Sequence, residues 1–503
     1  MVLVGIHWGV RVAGGADSYG YVSQADLWLR GDLFIDQGFG ADVPWPLARW
    51  TFTPLGYRPE PDGHRIVPLH SPGLPILMAA AKAIAGQCAV FWIVPLAGGC
   101  LTFATYWMGR QMRRPVVGLA AALIVATSPA MLFMLVAPMS DVPAAAAWAA
   151  AVAFLISGAP LASGIATAIA ILIRPNMVPL AGILFLYCVI TTRSWRALRF
   201  AAAAACGAIG IGIVNSRLYG SAFASGYGDL TTAFSWSFVL PNLARYPWWL
   251  ITAETPLALA GLVALAVPAR RLWPTPEARR TVWLLAAVAA AIWISYIVYV
   301  PWDAWWYLRF LLPTWPMMAI GTASIASVLY RRGGRAQLAA MAMVLLVGAS
   351  GIAQTVQRNV FEMADGEAKY IEVARVVETL SAPDDVIVSM QHSGSLRYYA
   401  ERLTLRWDFI EPAWLDDTVR WLDERGHHVY LLLEEGEARQ FTDRFASRSA
   451  LAQLDWTPLV TFRGGSIALY DLTRPDAAAP PTKQAPLRAL NECPPQRPFP
   501  RLR

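Results

Sequence analysis

Eleven apolar runs constrain what this chain can fold into more than any other feature of its sequence. They lie near residues 1–13, 89–109, 116–133, 142–157, 160–173, 177–191, 200–215, 250–268, 282–300, 310–329 and 337–354. A helix of about 20 apolar residues crosses the hydrocarbon core of a bilayer. Of the 503 residues 56% are hydrophobic and only 15% are charged, and several runs have no polar face to present to water, which excludes an ordinary soluble protein. The sequence predicts a polytopic α-helical membrane protein with about eleven transmembrane helices.

The placement of arginine predicts how these helices are oriented. The loops GRQMRRP, TTRSWRALR, ARRLWPTPEARR and YRRGGR carry 13 arginines, whereas the loops 128–141, 174–176, 216–249 and 301–309 carry four. Because Lys and Arg are enriched in cytoplasmic loops, we expect the first set and the N-terminus to be inside. The outer loop 14–88 and everything after residue 355 would then be outside, in a multi-pass membrane protein. Basic residues dispersed in this way do not indicate a nucleic-acid partner.

Two apolar segments are too short to read as ordinary spans. SPGLPILMAAAKAIAG, residues 71–86, contains Lys82 and only about 14 helical residues, so we expect a juxtamembrane helix in the outer loop. MVLVGIHWGVRVA, residues 1–13, contains His7 and Arg11. It predicts either a short tilted helix in a locally thinned bilayer or a longer first helix whose start lies upstream.

After the transmembrane domain, predicted as residues 1–355, the sequence pattern changes. Helical spacing in EAKYIEVARVVETL, AWLDDTVRWLDERG and GEARQFTDRFA alternates with the strand-like runs DDVIVSM and HHVYLLLE, and LVTFRGG with SIALYDL indicates a closing hairpin. The pattern predicts a small extracytoplasmic α/β domain over residues 356–473. The proline-rich tail, residues 474–503, is predicted to be disordered. The five cysteines show neither disulfide nor zinc-ligand spacing.

Ionisable residues gather at the outer ends of the predicted spans. Such residues at membrane depth cost about 2.5–3.5 kcal/mol each on insertion scales and are candidates for function. They are Asp17, His70, Asp141, Arg174, Asp303 and Arg309. Two separated carboxylates with arginines and a histidine on one face of a membrane suit a substrate that is part lipid and part anion.

The motifs around these residues resemble those of the GT-C glycosyltransferases, in particular the family of protein O-mannosyltransferases and the lipid A aminoarabinose transferase. The similar stretches cover roughly residues 10–330 and are GGADSYGYVSQADLWLRGDL, LHSPGLPILMAA, MSDVPAAAAW, ILIRPNMVPLAG and WYLRFLLPTWPMMA. The resemblance implies a GT-C-like fold. It also implies an enzyme that moves a sugar from a polyprenyl-phosphate carrier to an acceptor hydroxyl on the outer face of the membrane, without using a nucleotide sugar directly.

The resemblance assigns roles to individual residues. It implies that Asp17 is the acidic residue of the first outer loop and that Asp141 is a second loop acid. Arg174 and Arg309 match the basic residues that contact the carrier phosphate, and we expect His70 to join them. Asp141, Tyr19 and Asp303 are predicted to contact substrate. Ser18 follows Asp17 where many relatives have a second acid, so no metal is predicted, although a divalent ion remains open.

The chemistry of sugar transfer suits these residue types. A base must take the proton of the acceptor hydroxyl, and cations must hold the phosphate charge as the bond to the sugar breaks. We predict that Asp17 is the base and that partial burial raises the pKa of its carboxyl. The stretch SQADLWLRGDL after it predicts a helix lying in the membrane interface, with Asp26 on its solvated side.

Structural interpretations remain open beside these functional ones. Asp17 can cap the helix that follows it, and Asp141 stands at an ordinary helix start before Pro143. Arg174 can snorkel to lipid headgroups, and Arg309 can pack on neighbouring aromatic rings. Two other functional classes also stay open. One is a transporter or flippase of a lipid-linked glycan, and the other is a non-catalytic membrane scaffold whose α/β domain binds a partner.

Overall fold

The structure is a computed structural model that describes residues 1–37, 42–60, 64–192, 195–267, 269–474, 483–484 and 493. Helices dominate up to residue 357. They are α1 Val2–Trp8, α2 Asp17–Arg30, α3 Ala48–Thr51, α4 Gly73–Ala85, α5 Ile93–Gln111, α6 Pro115–Ala126, α7 Pro129–Val136, α8 Asp141–Ile156, α9 Pro160–Ile173, α10 Val178–Thr192, α11 Arg196–Tyr219, α12 Val239–Trp249, α13 Pro256–Ala266, α14 Pro276–Ile297, α15 Trp315–Tyr330 and α16 Gly334–Gln357. The chain is a multi-pass helical membrane protein.

The count of eleven transmembrane helices stays a prediction. Within the described ranges, six helices are long and apolar enough to cross a membrane, or seven if one bent pair counts as a single span. The six are Gln87–Gln111, Pro175–Thr192, Arg196–Tyr219, Pro276–Ile297, Trp305–Tyr330 and Gly334–Gln357. The remaining runs form shorter helices, and α1 has only seven residues. The apolar runs predicted the positions of the helices but not their lengths.

The bent pair, α6 and α7, breaks at Ser128 and Pro129 with an angle of 59°. Ser128 caps α7 by accepting a hydrogen bond from the Met131 N–H at 3.2 Å. Glu254 stabilises the same end, because its Oε1 accepts bonds from Ser128 Oγ and from the Ala130 N–H, both at 2.8 Å. A helix start inside a bilayer leaves backbone N–H groups that need acceptors, and the buried carboxylate supplies one.

The arginine-rich loops meet at one end of the helix bundle. Arg114 Nη1 donates to the Leu272 carbonyl at 2.6 Å, and Thr275 Oγ1 donates to the Met112 carbonyl at 3.0 Å. Arg331 also donates to the Arg271 carbonyl. Three of the four loops that predict the cytoplasmic side are therefore neighbours.

The outer loop is a folded layer at the opposite end. Its strands β1 Ile35–Asp36, β2 Tyr57–Pro59 and β3 Arg65–Pro68 form an antiparallel sheet with β3 in the centre. The prediction that α2 lies in the membrane interface is wrong, because residues 19–27 of α2 are buried against other parts of the protein. Asp26 is likewise not solvated. It is 5% exposed, pairs with Lys82 of α4 and accepts a hydrogen bond from Tyr398 at 3.3 Å.

The C-terminal part forms an α/β unit. Its helices are α17 Met363–Glu367, α18 Lys369–Leu380, α19 Ser393–Tyr399, α20 Leu415–Asp423 and α21 Glu435–Phe445. Its strands are β4 Val386–Val388, β5 Leu403–Leu405, β6 Val429–Glu434, β7 Val460–Phe462, β8 Ile467–Asp471 and β9 Lys483–Gln484, in the order β5-β4-β6-β8-β7-β9. β4 is parallel to β5 and β6, and β7 with β8 is an antiparallel hairpin.

Two of the five cysteines form a disulfide, although the sequence shows no disulfide spacing. Cys88, just before α5, forms a disulfide with Cys493, at a sequence separation of 405 residues. Such a separation leaves no spacing pattern in the sequence. Cys100, Cys188 and Cys206 are free. Most of the tail that was predicted to be disordered, residues 475–482, 485–492 and 494–503, lies outside the described residues.

Candidate active site

Asp17 is the first residue of α2, and its carboxylate contacts two of the predicted site residues. His70 Nε2 donates to Asp17 Oδ1 at 3.2 Å, and Arg309 Nη1 donates to Asp17 Oδ2 at 3.4 Å. Ala16, not Asp17, is the N-cap of α2, and Asp17 makes no capping bond. The Asp17 side chain is 35% exposed, whereas that of His70 is 1% exposed. A buried histidine and an arginine therefore hold a carboxylate that solutes can reach.

One face of α2 builds this arrangement. Residues 17, 20 and 21 are neighbours on a helix surface. A β-carbon at position 20 would overlap the His70 ring, so Gly20 allows the imidazole to lie against the helix backbone. The Tyr21 ring packs on His70 with centroids 4.4 Å apart. The His70 ring is thereby fixed from two sides in a position to reach Asp17.

The pKa of Asp17 moves in the direction opposite to that predicted. Burial raises it, but the hydrogen bond and the charge of His70, and the charge of Arg309, outweigh burial and hold the pKa of this carboxyl well below its usual range. Asp17 is thus ionised at neutral pH in this arrangement. The sequence indicated the burial but not the two partners that reverse its effect.

A second carboxylate pairs with the other predicted arginine. Arg174 Nη2 donates to Asp141 Oδ1, and Arg174 Nε donates to Ser140 Oγ at 3.4 Å. The Asp141 side chain is fully buried and that of Arg174 is 14% exposed. Tyr21 joins the two pairs, because its hydroxyl donates to Ser140 Oγ at 2.9 Å. Asp17, His70, Arg309, Arg174 and Asp141 therefore belong to one polar group at one end of the bundle.

Two predicted contact residues lie outside this group. Tyr19 is 0% exposed and packs between the rings of Tyr57 and Tyr398, with centroids 5.6 and 6.3 Å away. It is a core residue in this structure, because the helix turns its side chain away from Asp17. The Asp303 side chain is 90% exposed and pairs with Arg245 at 3.1 Å.

Sequence reasoning missed several members of the group. Tyr21 and Ser140 connect its two halves, and Met139 Sδ lies 3.5 Å from Arg309 Nη1. The exposed Tyr227 ring faces His70 edge-on at 6.1 Å. Tyr21 could have been found from its spacing of four residues from Asp17, and Ser140 from its position beside Asp141. Tyr227 gave no such signal, because it comes from a loop more than 150 residues away.

The residues that the structure describes do not bring three His, Cys, Asp or Glu side chains together in a way that could hold a metal ion. Asp17 and Asp141 are each paired with an arginine instead. The arginines of this polar group can bind an anion, and its carboxylates can bind a hydroxyl.

Comparison with known proteins bears on the fold. No family model matches the sequence, and no curated protein matches it. Among solved structures, apo ArnT from Cupriavidus metallidurans superposes with a TM-score of 0.57 at 12% identity, covering 94% of this chain and 96% of that one. The same protein bound to undecaprenyl phosphate gives 0.53 at 13% identity, covering 96% and 97%. This chain therefore has the same fold as ArnT.

A second solved structure has a similar fold. The archaeal oligosaccharyltransferase AglB from Archaeoglobus fulgidus, in complex with an inhibitory peptide and a dolichol-phosphate, gives a TM-score of 0.54 at 11% identity. The alignment covers 93% of this chain and 73% of AglB. The likeness of fold therefore includes the C-terminal part of this chain and is not confined to the helices.

Proposed function

We propose that the chain is a glycosyltransferase that moves a sugar from a polyprenyl-phosphate carrier to an acceptor hydroxyl on the outer face of the membrane. The observation that carries the proposal is the reachable carboxylate of Asp17 between His70 and Arg309, at one end of a GT-C bundle. Two of the structural neighbours are bound to a polyprenyl phosphate, which favours a donor of the same class here. The carrier would be a bacterial polyprenyl phosphate, and the acceptor a glycan, a lipid or a protein.

Arg174 and Arg309 would hold the donor phosphate. A guanidinium has five N–H donors, and each of these side chains uses only part of that capacity on its carboxylate. Arg309 Nε is buried and has no hydrogen-bond partner in the part of the chain that the structure describes. A phosphate oxygen would satisfy it, because phosphate accepts charge-assisted bonds from Arg. His70, which contacts the other oxygen of Asp17, would also bind the phosphate.

Asp17 would act as the base. The acceptor O–H gives its proton to the carboxylate while the acceptor oxygen forms a bond to the anomeric carbon of the sugar. The bond between that carbon and the phosphate oxygen breaks, and its electron pair leaves with the polyprenyl phosphate. The arginines stabilise the charge that develops on this leaving group.

The low pKa of Asp17 fits a base that becomes stronger when donor arrives. His70 and Arg309 lower this pKa in the structure. If both turn part of their hydrogen bonding to the donor phosphate, Asp17 loses stabilisation of its charged form, and burial then raises its pKa. Donor binding would thus prepare the carboxylate for the acceptor proton.

Two observations support an external site. Three of the arginine-rich loops join one another at one end of the bundle. Arg174, at the C-terminal end of α9, and Arg309, in the segment before α15, lie at the opposite end. Cys88 and Cys493 form a disulfide, and disulfides persist in oxidising compartments outside the cytoplasm. Both favour a site that faces the outer side of an inner membrane.

The test is turnover by the purified protein. Incubation with a polyprenyl-phosphate sugar and candidate acceptors should release free polyprenyl phosphate and form a new glycoside. Donor binding without any release would instead favour a transporter or flippase of a lipid-linked glycan. Absence of both binding and release would favour a membrane scaffold.

We further propose that transfer needs no metal ion, because the carboxylates pair with arginines. Turnover should therefore persist after exhaustive treatment with EDTA. Activity that is lost in EDTA and restored by Mg²⁺ or Mn²⁺ would contradict this part of the proposal.

A further inference from the structure

The carboxyl ends of the parallel strands of the α/β unit lie beside the outer loop, which also contains Asp17. The chain leaves β4 for β5 on one side and later reaches β6 on the other side of β4. In open α/β sheets this reversal creates a crevice at the carboxyl ends of the strands, where ligands bind. Here the residues after β4 are His392 and the start of α19, and β6 ends at Glu434.

These strand ends face the outer loop. A β-carbon at Gly394, in the first turn of α19, would overlap the Tyr19 ring. Ser393 Oγ accepts a hydrogen bond from the Leu55 N–H at 3.1 Å. The place where other α/β sheets hold a ligand is thus occupied by polypeptide from the layer that carries Asp17.

Two tyrosines of the α/β unit contact the segment just before Asp17. The Tyr399 hydroxyl accepts a hydrogen bond from the Ala13 N–H at 2.7 Å. The Tyr370 ring lies against Gly14 and leaves no room there for a β-carbon. The carbonyl oxygen of Gly14 in turn accepts a hydrogen bond from the Tyr19 N–H at 3.1 Å. Tyr19 lies in the first turn of α2. The segment is therefore fixed on both sides of Asp17.

Tyr370 is itself supported by charged groups. Its ring packs on the buried His392 ring with centroids 4.7 Å apart. His392 Nε2 lies 3.0 Å from Glu434 Oε1, and Lys369 Nζ pairs with the same carboxylate at 2.8 Å. Because a side chain held by packing and by hydrogen-bonded neighbours has one orientation, it can fix what it touches.

We propose that Tyr370 and Tyr399 are positioning residues and that the α/β unit sets the place of Asp17 relative to His70 and Arg309. This inference rests on the function proposed for Asp17. It gives the C-terminal part a role in the transfer reaction without contact to either substrate. Tyr399 fixes the backbone at Ala13, and Tyr370 fixes the glycines that follow.

The test compares two adjacent tyrosines in the full-length purified protein. Tyr399→Phe removes only the hydroxyl that binds Ala13. Tyr398→Phe removes the hydroxyl of another buried tyrosine on the same helix, which binds Asp26 and Gln87 instead. Hydrogen exchange is measured over residues 10–20, and kcat is measured against pH.

In Tyr399→Phe, exchange over residues 13–20 should rise about fivefold, as the loss of one hydrogen bond implies. The acid side of the kcat profile should also move to higher pH, because a loosened Asp17 keeps less of its contact with His70 and Arg309. A smaller folded fraction would lower kcat equally at every pH. Tyr370→Leu should show the same two changes, and Tyr398→Phe neither.

Equal exchange over residues 13–20 in Tyr399→Phe, Tyr398→Phe and wild type would overturn the inference, as would a general increase along the whole chain. Faster local exchange with an unchanged pH profile would support the positioning of this segment. It would instead overturn the proposed role of Asp17 as the base, so the two failures are distinguishable.

Discussion

Gly20 determines how closely His70 approaches Asp17, because any β-carbon at this position would overlap the imidazole. Gly20→Ala should displace His70 and lower kcat by about 100-fold, the scale of loss that a displacement of about 1 Å can cause at a reacting centre. Gly182→Ala, where a β-carbon meets nothing within 4 Å, is the matched control. Steady-state turnover of the two variants checks this prediction. Wild-type kcat in Gly20→Ala would show that His70 is not needed in this position.

Arg309 both pairs with Asp17 and is proposed to hold the donor phosphate. Arg309→Ala should lower kcat/KM by about 100-fold, since removing one donor that stabilises charge in the transition state costs about 100-fold or more in rate. It should also raise the pKa of Asp17, because the arginine charge lowers that pKa in the structure. A base must be deprotonated, so activity should then be lost at a higher pH as the solution is made more acidic.

The control for Arg309 is Arg245→Ala, because Arg245 pairs with the exposed Asp303 away from the site. It should leave donor kinetics unchanged. Lys at position 309 should restore only part of the loss, since it lacks the planar set of donors. If donor kinetics are the same in Arg309→Ala and Arg245→Ala, Arg309 does not bind the donor and only packs on Tyr307 and Phe310.

The sequence could predict which charged residues share a site but not what each one touches. Asp17, Arg174 and Arg309 could be grouped because topology places all three at outer helix ends. The partners of Asp26 could not be predicted, since an amphipathic pattern does not show whether its polar face meets water or other protein groups. Asp26 meets Lys82 and Tyr398. It is therefore unsuitable as a solvated control for Asp17.

Among the elements, the start of α5 is joined to the tail by the disulfide between Cys88 and Cys493. We expect a maleimide reagent to label three cysteines in the denatured, unreduced protein, because three are free. After reduction it should label all five. Cys493→Ser should give four labelled cysteines under both conditions. Mass spectrometry counts the labels, and five labels without reduction would contradict the pairing.

The boundaries of helices and strands show what local sequence alone can predict. Ser128 and Pro129 are a helix-start pattern, so the break between α6 and α7 could have been predicted inside the run 116–133. The carboxylate that accepts hydrogen bonds at this break could not be predicted, because Glu254 is 126 residues from Ser128. The short strand β5 was missed, since its three residues carry too little pattern to distinguish a strand from a loop.

Across the whole molecule, the outer loop and the α/β unit share one core. A single buried cluster contains Tyr19 and Ile66 from the first, and Tyr370, Ile387 and Leu396 from the second. The change in composition after residue 355 predicted a new type of structure. It could not predict that this structure packs on α2, because contacts between segments so distant in sequence leave no local pattern.

The orientation of the whole molecule follows from arginine placement and stays a prediction. Alkaline phosphatase fused to the C-terminus should be active, because this enzyme needs an external, oxidising location. The same reporter inserted at Gly333, in an arginine-rich loop, should be inactive. The reverse result would place Asp17 on the cytoplasmic side and remove the basis for an external transfer reaction.

The central claim is that the carboxylate of Asp17 performs sugar transfer from a polyprenyl-phosphate donor. The most direct measurement is the release of free polyprenyl phosphate by purified wild type, Asp17→Asn and Asp32→Asn. Asn at position 17 keeps the size of the side chain but cannot take the acceptor proton. Asp32 is exposed and accepts a bond from the Phe34 N–H. Our account predicts that Asp17→Asn binds donor but loses at least about 99% of release, while Asp32→Asn keeps wild-type release. Full release by Asp17→Asn would contradict it.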